Sequence, residues 1–395
     1  MKLFYCKKCL MPSTRPRIQF NKDGVCNGCD WAEKKKTIVD WNARWKELEN
    51  LCDRFRSKNG ANWDCIIPCS FGKDSYHIAY SMKHKLKLNP LLVYVSPLIP
   101  TRVGIKNREN LIKQGYDCLQ VHFNGDIYNR LCRKGLIEQG RPQLAFVTGI
   151  TTAVLRIAIS LGIKWLMYGE EGESEYAGKM DYANKTGFDR KWAVETYFSG
   201  HDTSEYIGKE FSKSDLKWWH FPDEETLRKS EIYLTHWSYF ENWDHILHRD
   251  TALKLGFQKA KPGDAKDGVA DIATYTDYSS LDDPFMRTFH TYLMFLKFGY
   301  GRGSHEGSCD IKAGVFTRDQ GIEIAKKYDS YNCLDFKERL LEAFKVTREE
   351  FDVIVDKWAN KAMLEKKDEK WQLKKDIHHN IFIENAIDIN YDGKY

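Results

Sequence analysis

Between Asp64 and Gly169, short apolar runs alternate with longer segments whose apolar residues recur at helical spacing. The runs predict strands over 65–69, 91–96, 117–123 and 164–169, and the amphipathic segments predict helices over 75–87, 104–114, 126–137 and 144–161. Strand–helix alternation of this kind builds a doubly wound α/β domain, a parallel sheet with helices on both faces. Ligands of such sheets bind outside the carboxyl ends of the strands. Those ends fall here at Cys69, Ser96 and Gly169.

Upstream, Trp41, Trp45, Leu48, Leu51, Cys52 and Phe55 lie at helical spacing within 38–55, and Gly60 stands where a stop is expected. Beyond Tyr182 the chain turns aromatic, charged and irregular. Helical periodicity returns over 281–298, 318–327 and 336–370, and the tail 388–395 reads as unordered. Three units are therefore expected: a small module over 1–35, an α/β domain over 36–210 and a mainly helical region over 211–395.

Composition narrows the class. No long uninterrupted apolar stretch suggests a membrane span, and the start Met1-Lys2-Leu3-Phe4-Tyr5-Cys6 lacks the apolar centre of a secretory signal, so a cytoplasmic location is expected. A net charge of +5 over 395 residues is too weak to imply nucleic-acid binding. The basic clusters at Lys34, Lys35 and Lys36 and over 366–375 read as solvated helix faces. The aromatic patch from Trp192 to Trp243 reads as core.

Eleven cysteines, an odd number, argue against a disulfide framework. Four of them form two C-x-x-C pairs, Cys6 with Cys9 and Cys26 with Cys29. Two such knuckles suit tetrahedral thiolate coordination of Zn²⁺, and metal binding would supply the folding energy that so apolar-poor a segment lacks. Four thiolates leave no open position, so the ion is expected to be structural. Cys52, Cys65, Cys69, Cys118, Cys132, Cys309 and Cys333 show no pattern and read as small buried thiols.

The first strand runs into Ser70-Phe71-Gly72-Lys73-Asp74-Ser75, where a helix begins. A strand–loop–helix turn aims backbone N–H groups and a helix dipole at one point, which suits phosphate. Gly72 permits close approach, Lys73 brings positive charge, and Ser70 and Ser75 bring hydroxyls. The Walker A spacing is absent. Asp74 either meets Mg²⁺ or caps the helix.

This loop resembles the S-G-G-x-D-S loop of the PP-loop ATP pyrophosphatases, with Phe71 where a second Gly is usual. The resemblance implies ATP and Mg²⁺ at Ser70, Phe71, Gly72, Lys73, Asp74 and Ser75, completed by Ser96 and Gly169. Tyr5-Cys6 to Cys9, Thr14-Arg15-Pro16, Gly24-Val25-Cys26-Asn27-Gly28-Cys29, Tyr168-Gly169-Glu170-Glu171-Gly172-Glu173, Lys297-Phe298-Gly299-Tyr300-Gly301-Arg302 and Asp310-Ile311-Lys312-Ala313-Gly314 also look like the N-acetyl sugar amidotransferases. That family belongs to surface-polysaccharide and nonulosonic acid pathways, including lipopolysaccharide and flagellin glycosylation. The likeness implies conversion of a sugar acetamido group to acetamidino. ATP adenylates the amide oxygen, and ammonia arrives from glutaminase and cyclase-like partners.

Within this reading Lys73, Asp74, Glu171 and Glu173 are the catalytic candidates. The acidic run 170–175 either serves a metal ion or ammonia, or is a solvated loop. Arg302, in an apparent Gly-flanked loop, and Lys297 are the candidate sugar contacts, with Arg287 and His290 nearby. A tRNA thiolase is the rival enzyme, because Cys65 and Cys69 sit beside the loop. A non-catalytic scaffold recruiting a partner through the zinc module is the rival of another class.

Overall fold

The computed structural model describes residues 1–261, 274–330 and 334–391. Cys333 and the last four residues of the expected unordered tail lie outside the described residues. The strands are β1 (Lys2–Leu3), β2 (Cys65–Pro68), β3 (Pro90–Val95), β4 (Asp117–Val121), β5 (Trp165–Tyr168), β6 (Gly187–Phe188), β7 (Tyr233–His236), β8 (Leu364–Lys367), β9 (Lys370–Leu373) and β10 (Ile387–Asp388). Six form one sheet in the order β4-β3-β2-β5-β7-β6, parallel except for β6.

The period-two alternation of side chains divides each central strand between two cores. Ile66, Leu91, Val93 and Leu166 face Val154, Leu155 and Ala158 of the helix Leu144–Leu161. Cys65, Ile67, Leu92, Trp165 and Met167 face the other layer, with Leu48 and Cys52 of the helix Trp41–Phe55 and Tyr76 and Met82 beyond the loop. The other expected helices form as Lys73–Tyr80, continued by a π turn over Ser81–Lys85, as Arg102–Ile112 and as Gly125–Gln139.

The helix Leu144–Leu161 corrects one expectation: it is long and apolar enough to cross a membrane, and more than half of it is buried inside the fold. Two further differences lie beyond residue 210, the expected end of the α/β unit. β7 supplies the fifth parallel strand from the aromatic, charged stretch, its Thr235 hydroxyl accepting from Trp165 Nε1 at 2.9 Å. Tyr233-Leu234-Thr235-His236 has one aliphatic residue, so pairing with β5 decides its conformation. The periodic stretch 336–370 divides into the helices Leu334–Phe344 and Arg348–Trp358, the second started by a Thr347–Glu350 capping box, and then into the hairpin β8–β9. Asp368 and Glu369 turn that hairpin at φ 47° and 61°, a two-residue reversal that a helix cannot hold.

The third core joins Phe285, Phe289, Leu293 and Leu296 of the helix Pro284–Phe298 to Leu131, Leu136, Phe351 and Ile354. The chain ends meet as β1 pairs antiparallel with β10, and Tyr5 N–H donates to the Ile381 carbonyl at 2.7 Å.

Close helix packing beneath this core requires Gly135, where an added Cβ would lie 2.4 Å from the Arg141 carbonyl oxygen and 2.6 Å from Leu144 Cβ. Gly135→Ala is expected to lower unfolding stability by about 1–3 kcal/mol in urea titration.

Candidate active site

β2 has β3 on one side and β5 on the other, so the chain winds outward in both directions from the β2–β5 pair. That pair is the topological switch point, where a crevice opens at the carboxyl ends. The loop Cys69–Gly72 leaves β2 on one side of it, and Gly169-Glu170 leaves β5 on the other. Ser96, one strand further out, is on hydrogen-bonding terms with His122 Nε2 at 3.3 Å.

The loop is held by its own serines. Ser70 N–H donates to Ser75 Oγ at 3.2 Å, and Gly72 N–H reaches Ser70 Oγ at 3.4 Å. Phe71 has φ 58°, a left-handed backbone normally given to glycine. Its ring is turned into the core, edge-on to Tyr94 with centroids 5.3 Å apart, so it does not fill the crevice. At Gly72 an added Cβ would meet only Ser70 Oγ, at 3.4 Å, leaving that backbone open to approach. No side chain caps the helix that follows. Its first amides and its dipole therefore remain for an anion.

Lys73 Nζ lies 2.6 Å from Asp74 Oδ2, and Asp74 Oδ1 lies 2.8 Å from His248 Nδ1. Burial works against the Lys73 charge, but Asp74 outweighs it and holds the amine above the ordinary lysine range. Burial likewise opposes ionised Asp74, and Lys73 with His248 outweigh it, holding the carboxyl well below the usual range. Asp74 does not cap the helix, and its two oxygens pair with Lys73 and His248. Glu170 is pushed up by burial and by Asp74, and accepts from Tyr176 Oη–H at 3.1 Å.

The helix Arg302–Lys312 forms another wall, tied to the helix His245–Lys254 by His245 Nε2 and Asp310 Oδ1 at 2.7 Å. The same His245–Lys254 helix carries His248, so one element joins the loop to the C-terminal region. His77, Glu241 and His248 escaped the sequence reading. A helical i,i+4 step from Lys73 to His77 was visible, but their partners lie more than 160 residues away.

The acidic run is neither a solvated loop nor an open carboxylate cluster. Glu171 caps the short helix Gly172–Glu175, accepting from Glu173 and Ser174 N–H at 3.3 and 2.8 Å. Glu173 receives a bidentate pair of bonds from Arg17, both 2.7 Å, and Glu175 pairs with Lys35 at 2.8 Å. Both tie the N-terminal module to the end of β5. Arg302 begins a helix rather than standing in a loop; it is buried, bonded to Glu306 at 3.0 Å and to the Ser279 carbonyl at 3.0 Å. Lys297 donates to the Gln139 carbonyl at 2.9 Å, and burial pushes its amine down to about 7.

The cysteine cluster forms. Cys6 and Cys29 sulfurs are 3.9 Å apart, Cys9 and Cys26 3.6 Å, and all four are buried. Four sulfurs at about 2.3 Å from one Zn²⁺ would stand about 3.8 Å apart, so the donors fit the ion. N–H groups of Lys8, Cys9 and Cys26 point at Cys6 Sγ at 3.2–3.5 Å, the second-sphere bonds a thiolate ligand requires. Cys65 and Cys69, by contrast, are buried, and burial pushes both thiols up, Cys69 to about 12. Neither is an activated nucleophile.

Sheet order, loop and switch point define a doubly wound α/β protein with an uncapped, lysine-bearing loop at its centre. Residues 272–378 match the family described as LPS biosynthesis protein WbpG-like, C-terminal domain. That region is similar to this family, in agreement with the N-acetyl sugar amidotransferase resemblance. The chain is also similar to "Uncharacterized protein MJ1599" of Methanocaldococcus jannaschii, 28% identical over 167 residues. The match takes in 42% of this chain and 58% of that protein. A solved structure described as a predicted subunit of tRNA methyltransferase from the same organism aligns with 48% of this chain and 75% of its own, at 17% identity and a TM-score of 0.26.

Burial raises the Glu171 carboxyl from 4.5 to about 7. A group that binds its proton more tightly when folded makes stability fall as pH rises between those values. Urea unfolding of wild type and Glu171→Gln is expected to show the wild type losing roughly 2 kcal/mol relative to the variant between pH 4.5 and 7.5.

Proposed function

We propose that this protein uses ATP and ammonia to convert a sugar acetamido group into an acetamidino group. The observation that carries the reading is the uncapped, lysine-bearing loop at the switch point, walled by the Arg302–Lys312 helix of the WbpG-like region. The amide oxygen of the sugar attacks the α-phosphorus of ATP, and the bond to pyrophosphate breaks. Ammonia then attacks the activated carbon, the C–O bond breaks, and AMP leaves.

The chain's own groups suit these steps. Amides at the start of the helix Lys73–Tyr80 and the Lys73 ammonium offset charge growing on the departing pyrophosphate. Mg²⁺, when bound, would further neutralise the phosphates, with Asp74 its nearest candidate ligand once the Lys73 contact opens. Burial and the neighbouring Asp74 push the Glu170 carboxyl up from its ordinary value.

On the sugar side, Lys297 and Arg302 are committed to internal contacts. Arg287 is not: the helix Pro284–Phe298 is buried except along the stripe Arg287, His290, Met294 and Lys297. Among the described residues no hydrogen bond or ion pair engages the Arg287 guanidinium. Arg287 is therefore the better contact for an anionic group on the sugar. Ammonia would come from separate glutaminase and cyclase-like partners, so glutamine alone should not support the reaction. The buried Cys65 and Cys69 count against a thiolase, whose chemistry needs an accessible thiolate.

Mass spectrometry of reactions containing protein, ATP, Mg²⁺, ammonium and N-acetylated sugars is expected to detect an acetamidino product with AMP and pyrophosphate. Lys73→Ala should lower turnover on the order of 10²–10³-fold. Well-folded protein yielding AMP with tRNA and with no sugar would replace this reading by RNA modification. Arg287→Ala should raise the Michaelis constant for the sugar at least about tenfold and leave that for ATP unchanged.

A further inference from the structure

One turn along the helix from Lys73, two imidazoles and a carboxylate converge. His77 stands one turn beyond Lys73, His248 comes from the helix His245–Lys254, and Glu241 follows the short helix Trp237–Phe240. One ligand atom from each lies within 4.8 Å of the others, and both imidazoles are buried. The two rings stack with centroids 4.1 Å apart.

Three contacts reach the cluster from outside. His77 Nδ1 meets Thr251 Oγ1 at 3.3 Å, His248 Nδ1 meets the Asp74 carboxylate at 2.8 Å, and Trp237 Nε1 donates to Glu241 at 2.7 Å. Bonds of this type fix the tautomer and aim of metal-ligating histidines, with a carboxylate behind an imidazole the commonest form. His248 Nε2 receives none of them. It is buried without a hydrogen-bond partner, 3.9 Å from Glu241 Oε2, too far for a bond. An orphaned buried nitrogen there is costly unless something takes its lone pair.

We propose that His77, His248 and Glu241 bind a divalent transition-metal ion, with Zn²⁺ the best-matched, separate from the ion of the cysteine module. Two imidazoles and a carboxylate are a borderline donor set, suited to Zn²⁺ rather than to Mg²⁺ or Ca²⁺. Ligands on a tetrahedral Zn²⁺ stand about 3.3 Å apart. The 2.6 Å His77–Glu241 contact would open, and the 3.9 Å His248–Glu241 separation would close, by roughly 0.6–0.7 Å each. Through His248 the ion would fix Asp74, and through His77 the helix that starts at Lys73. It would therefore position the loop without touching substrate.

Elemental mass spectrometry of the full chain, purified without chelator, is expected to read about two zinc ions per chain. His77→Ala should lower the count by one. So should Glu241→Gln, which keeps the size of the side chain. In cobalt-substituted protein, Glu241→Gln should keep the thiolate charge-transfer band of the cysteine module, which also reports its folding, and lose the weaker d–d absorption of the second site. A wild-type count of one or none overturns the proposal. So does a count of two that survives Glu241→Gln with an unchanged cobalt spectrum. Because the count needs no substrate, its result is independent of whether the sugar reaction is found.

Discussion

Because β2 pairs with β3 on one side and with β5 on the other, two loops far apart in sequence open onto one crevice. Each connection between parallel strands has to cross over through a helix, and the direction of winding reverses only at this pair. The loop after β2 brings an uncapped helix start and Lys73. The chain after β5 brings Glu170 and then the acidic turn. If the two strands were not neighbours, the uncapped amides at the start of the helix Lys73–Tyr80 would face no second wall.

The acidic turn shows how one short segment can serve architecture more than chemistry. Removing a partner from a buried ion pair strands the remaining charge, so such pairs are strongly directive even when their net contribution is small. Arg17 on Glu173 and Lys35 on Glu175 therefore set where the cysteine module docks. Lys312 Nζ donates to the Glu175 carbonyl, bringing the C-terminal helix to the same point. Three parts of the chain thus meet beside β5. The helix His245–Lys254 adds a second tie, holding Asp74 through His248 and Asp310 through His245.

What was legible in the chain was whatever repeats locally. The four apolar runs became β2 to β5, the segment 144–161 became a helix with those ends, and the paired C-x-x-C motifs closed into one cluster. The contacts of a residue were not legible where its partner lies far along the chain. Glu171 and Glu173 looked like site carboxylates because their position past a strand end is visible. Their capping and Arg17 contacts are not. Arg302 looked like a loop cation between glycines, yet Gly301 lies 2.7 Å from the Asp329 carbonyl by the measure of an added Cβ, so close packing rather than loop freedom explains that glycine.

The sequence by itself determined the period-two and period-3.6 patterns, the strand–loop–helix turn at Lys73 and the thiolate spacing, since each is set by residues within a few turns of one another. Tertiary structure alone decided that Tyr233–His236 is a strand, that Phe71 turns its ring inward, and that His77, Glu241 and His248 meet one turn beyond Lys73. Those outcomes depend on chain segments brought together from far apart, and a one-dimensional pattern carries no record of which segments become neighbours.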